Sequence, residues 1–281
     1  MLLRKGLKMR EKNNLSPIWK GLIIGGTMLV PGVSGGSMAM ILGIYHQLIS
    51  SVSSLFHNFK KNLLFLGLFV AGAASGMLLF AKPLLALIER YPKPMLYFFL
   101  GSVAGGIPLI YKQAKVRHFS LFYLLYIFIG ILLVSMFALF PTDIFSTNDT
   151  RGFSQLLFLF VAGLIAAVAL VLPGISVSYL LLVLGLYDKT MQAISALDFA
   201  FLLPLGFGVL AGILLVTKTL EFCMNTYPKV TYFIILGFIL GSLYETFPGF
   251  PIGLEWVICS LMAATGFLII KVISEYEKPD N

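Results

Sequence analysis

The chain of 281 residues is 59% hydrophobic and only 11% charged, with a mean hydropathy of +0.96. No soluble domain needs that much apolar surface, and a closed barrel would alternate apolar and polar residues where this chain has unbroken apolar runs, so composition predicts an all-α polytopic membrane protein. The net charge of +8 is concentrated in the N-terminal tail, which argues for membrane orientation and against nucleic acid as a partner.

Residues 1–16 read as a basic cytoplasmic tail. The opening "MLLRKGLKMREKNNLSPIWK" carries Arg4, Lys5, Lys8, Arg10, Lys12 and Lys20 against Glu11 alone, and has neither the apolar core nor the cleavage site of a signal peptide. The apolar stretch from Ile18 to Leu55 would be roughly 57 Å long as one helix, about twice the hydrocarbon thickness. It should fold back, with Pro31-Gly32 as the hairpin tip, because Pro cannot donate a backbone hydrogen bond and Gly turns cheaply. Just downstream, Ser34 is a natural N-cap, and Gly35, Gly36 and Ser37 form a first turn. Its N–H donors and positive dipole end suit a phosphate or carboxylate. The plainer alternative is a proline kink whose serines bond back to their own helix.

Three further apolar runs carry the first unit to residue 140, and an acidic segment, 141–153, follows as an extracellular linker. The chain then repeats itself from 154 to 273. At an offset of 142, Gly21-Leu22-Ile23 matches Gly163-Leu164-Ile165, Pro31-Gly32 matches Pro173-Gly174, and Ser34, Leu42-Gly43 and Tyr45 match Ser176, Leu184-Gly185 and Tyr187. At an offset of 136, Gly72, Gly76, Lys82, Tyr91-Pro92-Lys93, Gly101, Gly105 and Gly130 match Gly208, Gly212, Lys218, Tyr227-Pro228-Lys229, Gly237, Gly241 and Gly266. An ordered series with one indel signals duplication, and GxxxG spacings in each copy permit close helix contact in lipid.

A re-entrant hairpin followed by three crossings has odd parity, so the second copy should be inverted; discontinuous helices at equivalent places of inverted repeats mark transporter binding sites. The second tip is then Pro173, Gly174, Ser176 and Ser178. With this topology the interior loops hold Lys60, Lys61, Lys112, Lys115, Arg117 and Lys229, and the exterior ones Arg90, Lys93, Arg151 and Lys189. Both termini are cytoplasmic, residues 274–281 forming the second tail. Phe153 to Leu172, however, is long enough to span the bilayer by itself. Lys82 and Lys218, deep in long apolar helices, either snorkel to an interface or draw an anionic headgroup in from opposite leaflets. Tyr45, Tyr187, Tyr91 and Tyr227 fit interface anchoring. The histidines have no metal-site spacing, the cysteines read as packing residues, and no cofactor is implied.

The pair "PGVSGGSMAMILGIY" and "LPGISVSYLLLVLGLY" resembles the double signature of the bacterial polyprenyl-phosphate transporter family, once a domain of unknown function, over about Lys20 to Val272. The resemblance implies a multi-pass plasma-membrane translocase, not an enzyme, that returns undecaprenyl phosphate from the outer to the inner leaflet for cell-wall synthesis. By motif it places the phosphate at Pro31, Gly32, Ser34, Gly35, Gly36 and Ser37, and at Pro173, Gly174, Ser176 and Ser178. The chain departs from the pattern at Met28 and His46, where family members often carry acids, and at Val177, where they carry Gly. Two rivals share the broken-helix logic. Undecaprenyl pyrophosphate phosphatases follow their Pro-Gly-x-Ser with Arg, whereas Gly35 and Val177 stand there in this chain. A carrier of small water-soluble anions is the other.

Overall fold

The computed structural model describes residues 16–28, 34–116, 120–138, 152–175 and 177–276, and these fold into twelve α-helices with no strand among them. In chain order they are α1 Ser16–Thr27, α2 Gly35–Ile41, α3 Tyr45–Ser53, α4 Phe59–Arg90, α5 Pro92–Gln113 and α6 Phe122–Ala138. The second half supplies α7 Phe153–Val171, α8 Val177–Val183, α9 Tyr187–Ala196, α10 Phe199–Thr226, α11 Pro228–Thr246 and α12 Glu255–Tyr276. Five of them, α4, α5, α7, α10 and α12, are long and apolar enough to cross a membrane, and α6 and α11 are shorter apolar helices. At 19 residues, α7 spans about 28 Å, as its sequence allowed.

Local chemistry sets the ends. Pro92 and Pro228 open α5 and α11, where a missing N–H costs nothing, and Asp198 caps α10 by accepting from the Ala200 and Phe201 amides at 3.0 and 3.4 Å. The Leu-Gly-x-Tyr stretches end α2 and α8 in the same way. Gly43 and Gly185 take left-handed backbone, φ 68° and 66°. The Ile44 and Leu186 amides then return to the Ala39 and Leu181 carbonyls at 3.0 and 2.8 Å, which closes the last turn.

Helices meet backbone to backbone at most of the repeated glycines within them. A methyl placed on Gly72 or Gly76 of α4 would run into the carbonyls of Ile18 and Leu22 in α1; on Gly208 or Gly212 of α10 it would meet Phe160 and Leu164 of α7. The same holds for the exchanged pairs. Gly101 and Gly105 of α5 lie on Ala263 and Phe267 of α12, while Gly237 and Gly241 of α11 lie on Ile127 and Ile131 of α6. Every one of these neighbours is also related by the offsets 142 or 136. Small residues at such contacts let main chains approach, and dispersion accumulates where lipid supplies no hydrophobic drive.

Each half thus keeps its first long helix against its own α1 or α7, but gives its last helix to the other half. Between the halves, α5 and α11 form the central pair. Tyr97, near the start of α5, donates to the Gly249 carbonyl just past the end of α11 at 3.3 Å, whereas Tyr111, near the end of α5, packs edge-on against Phe233 near the start of α11. The two run in opposite directions. Around them lies the largest buried cluster, which joins Met38, Ile41, Leu42 and Tyr45 from the first half to Val171, Phe233, Ile235 and Ile239 from the second.

These contacts make a prediction. Gly101→Leu and Gly237→Leu should each cost about 2–3 kcal/mol through overpacking, read as a loss of thermal stability in detergent. Gly67→Ala and Gly206→Ala, where nothing lies within 4 Å, should cause no loss.

Candidate functional site

Both Pro-Gly stretches interrupt a helix. α1 stops at Thr27 and α2 starts at Gly35; α7 stops at Val171 and α8 starts at Val177. Pro31, Gly32 and Ser176 lie outside the described residues, as does the side chain of Ser178, the second residue of α8. The ends of the first break approach each other, since a methyl on Gly35 would be 2.7 Å from the Met28 sulfur. Gly26 faces Phe80 of α4, ten residues before that helix ends, so the end of α1 lies about 15 Å from the α4 terminus.

The start of α2, just past the first break, touches the second break. A side chain on Gly36 would press on Pro173 at 3.2 Å from its Cα, and Pro173 is fully buried. Gly174 adopts φ +85°, a conformation that favours glycine, with its Cα against the Phe238 carbonyl of α11. At Gly174 only a residue without Cβ permits the approach, and at Gly36 a Cβ would be tight.

Beside this contact is a narrow cavity between α2, α5 and α11. Ser34, Ser37 and Met38 form one wall, Leu96, Phe99, Leu100 and Val103 the second, and Ile239, Ser242 and Leu243 the third. The space open to a water-sized sphere is about 20 Å³, room for one or two waters. Ser34 occupies the cap position of α2 with extended backbone, but its hydroxyl makes no capping bond. Ser37 is 5% exposed and its Oγ has no hydrogen-bond partner among the described residues. Ser242 donates to the Ile239 carbonyl at 2.9 Å. An unpartnered buried hydroxyl costs roughly 1–3 kcal/mol, and a hydroxyl can donate to an anion while its lone pairs stay idle. Among the described residues no charged side chain lines the cavity, so it offers an anion hydroxyl donors in a low-dielectric surround.

The structure therefore brings together Ser34, Gly36, Ser37, Pro173 and Gly174, with Gly35 beside them. Lys82 and Lys218 are exposed on α4 and α10 and do not line the cavity. One sequence expectation is corrected. Tyr45 is not an interface anchor: it is 2% exposed, and its Oη donates at 2.8 Å to the Val171 carbonyl, the last residue of α7 before the second break. A helix end has carbonyls without intrahelical partners, and this hydroxyl answers one of them. Sequence reasoning also missed Ser242, whose only signal was a hydroxyl within the apolar α11.

Comparisons with known proteins show which family the chain resembles. A polyprenyl-phosphate transporter of Staphylococcus aureus is 34% identical over 263 residues, which cover 90% of this chain and 93% of that protein. A polyprenyl-phosphate transporter of Vibrio cholerae is 29% identical over 253 residues, 85% of this chain and 79% of that protein. No solved structure matches. The family model described as undecaprenyl phosphate translocase-like matches residues 24–260, a stretch that contains both breaks, the cavity and the central helix pair, and the chain belongs to that family.

Proposed function

We propose that the chain is a multi-pass transporter of the bacterial plasma membrane that returns undecaprenyl phosphate from the outer to the inner leaflet for cell-envelope synthesis. The observation that carries this reading is the buried Ser37 hydroxyl, unpartnered among the described residues, in a cavity where Gly36, just past one break, meets Pro173 of the other. The phosphate is held by the hydroxyls of Ser34 and Ser37 and by the backbone around Pro31-Gly32 and Pro173-Gly174, with Ser176 and Ser178 contributing from the second tip, while Ser242 keeps its proton on the Ile239 carbonyl and lines the wall. The isoprenoid tail stays in lipid beside the half-exposed Leu96, Leu100 and Leu243. A site that holds one or two waters must widen to admit a phosphate, which a shift of the short helix α2, one of its three walls, would allow.

In this reading residues 17–140 and 154–273 are inverted repeats, each a re-entrant broken hairpin followed by three spans. The segment 141–153 is extracellular, and the tails 1–16 and 274–281 are cytoplasmic. Its support is the opposed direction of the equivalent helices α5 and α11, the offset-related glycine contacts, and the basic N-terminus. Lys82 and Lys218, exposed on the outer faces of the bundle, concentrate the anionic headgroup at opposite leaflets rather than bind it in the cavity.

The decisive measurement is leaflet-resolved translocation of labelled undecaprenyl phosphate in proteoliposomes. Ser34→Phe should abolish it by filling the cavity. Ser37→Ala should slow it by about tenfold, yet leave thermal stability unchanged or raised by about 1 kcal/mol, because an unsatisfied buried hydroxyl is removed. Normal translocation in both variants defeats the proposal, and equal flux of inorganic phosphate would instead favour a small-anion carrier. For the lysines, Lys82→Gln should lower uptake from the outer leaflet by about twofold to fivefold, with the effect shrinking as salt is raised; an equal effect at high salt argues for direct binding.

A further inference from the structure

Packing between the halves breaks its own symmetry at one place. α3 of the first half lies against α10 of the second, and polar contacts join them: His46 Nε2 and Asn225 Oδ1 are 3.2 Å apart, and Ser53 Oγ donates to the Glu221 carboxylate. The offsets that relate the glycine contacts carry α3 onto α9 and α10 onto α4. Yet α9 and α4, both fully described, have no comparable packing. Exposure records the difference, with Ile49 of α3 at 5% and its equivalent Met191 of α9 at 43%. Instead of resting on α4, α9 edges an open cleft with α7 and α10 that is lined by Gln155, Lys189, Gln192 and Asp198.

If one half can seat its short helix on the other half's long helix, the relation between the halves supplies a second arrangement in which α9 seats on α4 and α3 is released. The residues at that second contact follow from the offsets. His46 becomes Asp188, Asn225 becomes Glu89, Ser53 becomes Ser195 and Glu221 becomes Leu85. At the His46–Asn225 separation, two carboxylates repel unless one of them carries a proton and donates it to the other. We propose that Asp188 and Glu89 form a proton-binding site that exists only when α9 closes onto α4, so that protons favour this alternate arrangement over the one described above.

This inference rests on the inverted-repeat reading and is independent of which lipid is carried. Closure takes up one proton, which becomes the O–H between the two carboxylates, and opening returns it. The contact is therefore stable in acid and is lost as pH rises. In the proposed orientation both carboxylates face the outside, so the device responds to external pH and does not by itself carry protons across. Other charges facing the site have their own engagements or directions. Lys93 of α5 pairs with Glu255 of α12 at 2.8 Å, Arg90 stacks on Tyr91, and Asp198 caps α10. Lys189 follows Asp188 directly, and adjacent helical residues point about 100° apart.

Cysteine pairs read both arrangements without any lipid cargo. In a Cys223→Ser, Cys259→Ser background, Ser53→Cys with Glu221→Cys reports the α3–α10 contact, and Ser195→Cys with Leu85→Cys reports the α9–α4 contact. A short bifunctional thiol reagent should link the second pair at least fivefold more at about pH 5.5 than at about pH 8.5, while the first pair changes in the opposite sense. Asp188→Asn supplies an N–H donor that needs no added proton, so the second pair should then link equally at both values. The proposal is overturned if the second pair never links where the first does, or if its pH response survives both Asp188→Asn and Glu89→Gln. Because no transport is measured, failure here and failure of the transporter reading are separate results.

Discussion

A helix broken inside hydrocarbon exposes peptide groups that lipid cannot satisfy, so a break is tolerated only where protein, water or cargo reaches it. The described break between α7 and α8 shows how the debt is met. Pro173 has no amide proton to lose, the Leu172 amide still reaches Val168 at 2.9 Å, and the Val171 carbonyl receives Tyr45 from the other half. Gly174 turns through left-handed backbone against Phe238. None of these partners is local in sequence except Val168. A break of this kind is stable only at the centre of the bundle, and placing two there makes them neighbours.

That requirement explains the unusual division of the scaffold. The central pair α5 and α11 must come close enough to enclose the breaks, and each is backed by the last helix of the opposite half through glycine contacts. The exchange means that neither half buries its own α5 or α11 surface alone. The core accordingly joins residues from both halves of the chain. Backbone-to-backbone contact also leaves little freedom, since a main chain has no rotamers to adjust. The scaffold pairs are rigid by construction.

What the sequence disclosed follows the same line. Gly and Pro report backbone needs directly, because a close approach or a broken helix demands those residues whatever surrounds them. Gly36, Pro173, Gly174, Gly43 and Gly185 were legible for this reason, as were the repeat and the Ser34 cap position. Side-chain partners were not. Tyr45 has the composition of an interface anchor, and only the fold reveals that its hydroxyl lies against a carbonyl 126 residues away. Ser242 is one hydroxyl in an apolar helix until α2 is brought opposite it. Helical periodicity says which face a residue shares, not which helix will meet that face.

The short helices form the complement of this rigid frame. α3 and α9 touch their surroundings through side chains; α3 buries Tyr45 and Ile49 in the core and adds two polar contacts to α10, His46 to Asn225 and Ser53 to Glu221. Such contacts break and reform at a cost of about 1 kcal/mol each where water can enter, far less than separating glycine-packed backbones. Motion should therefore concentrate in α9 and in the polar face of α3, with the glycine pairs as fixed pivots. The sequence is consistent with that division. Glycines of the frame are retained between the halves, whereas the residues that tie α3 to α10 have diverged at the equivalent positions of α9 and α4, from His46 and Asn225 to Asp188 and Glu89. Two halves that share a frame but differ in their latches have no reason to adopt the same arrangement at once, and the closed α3 beside the open α9 is what that inequality looks like in one molecule.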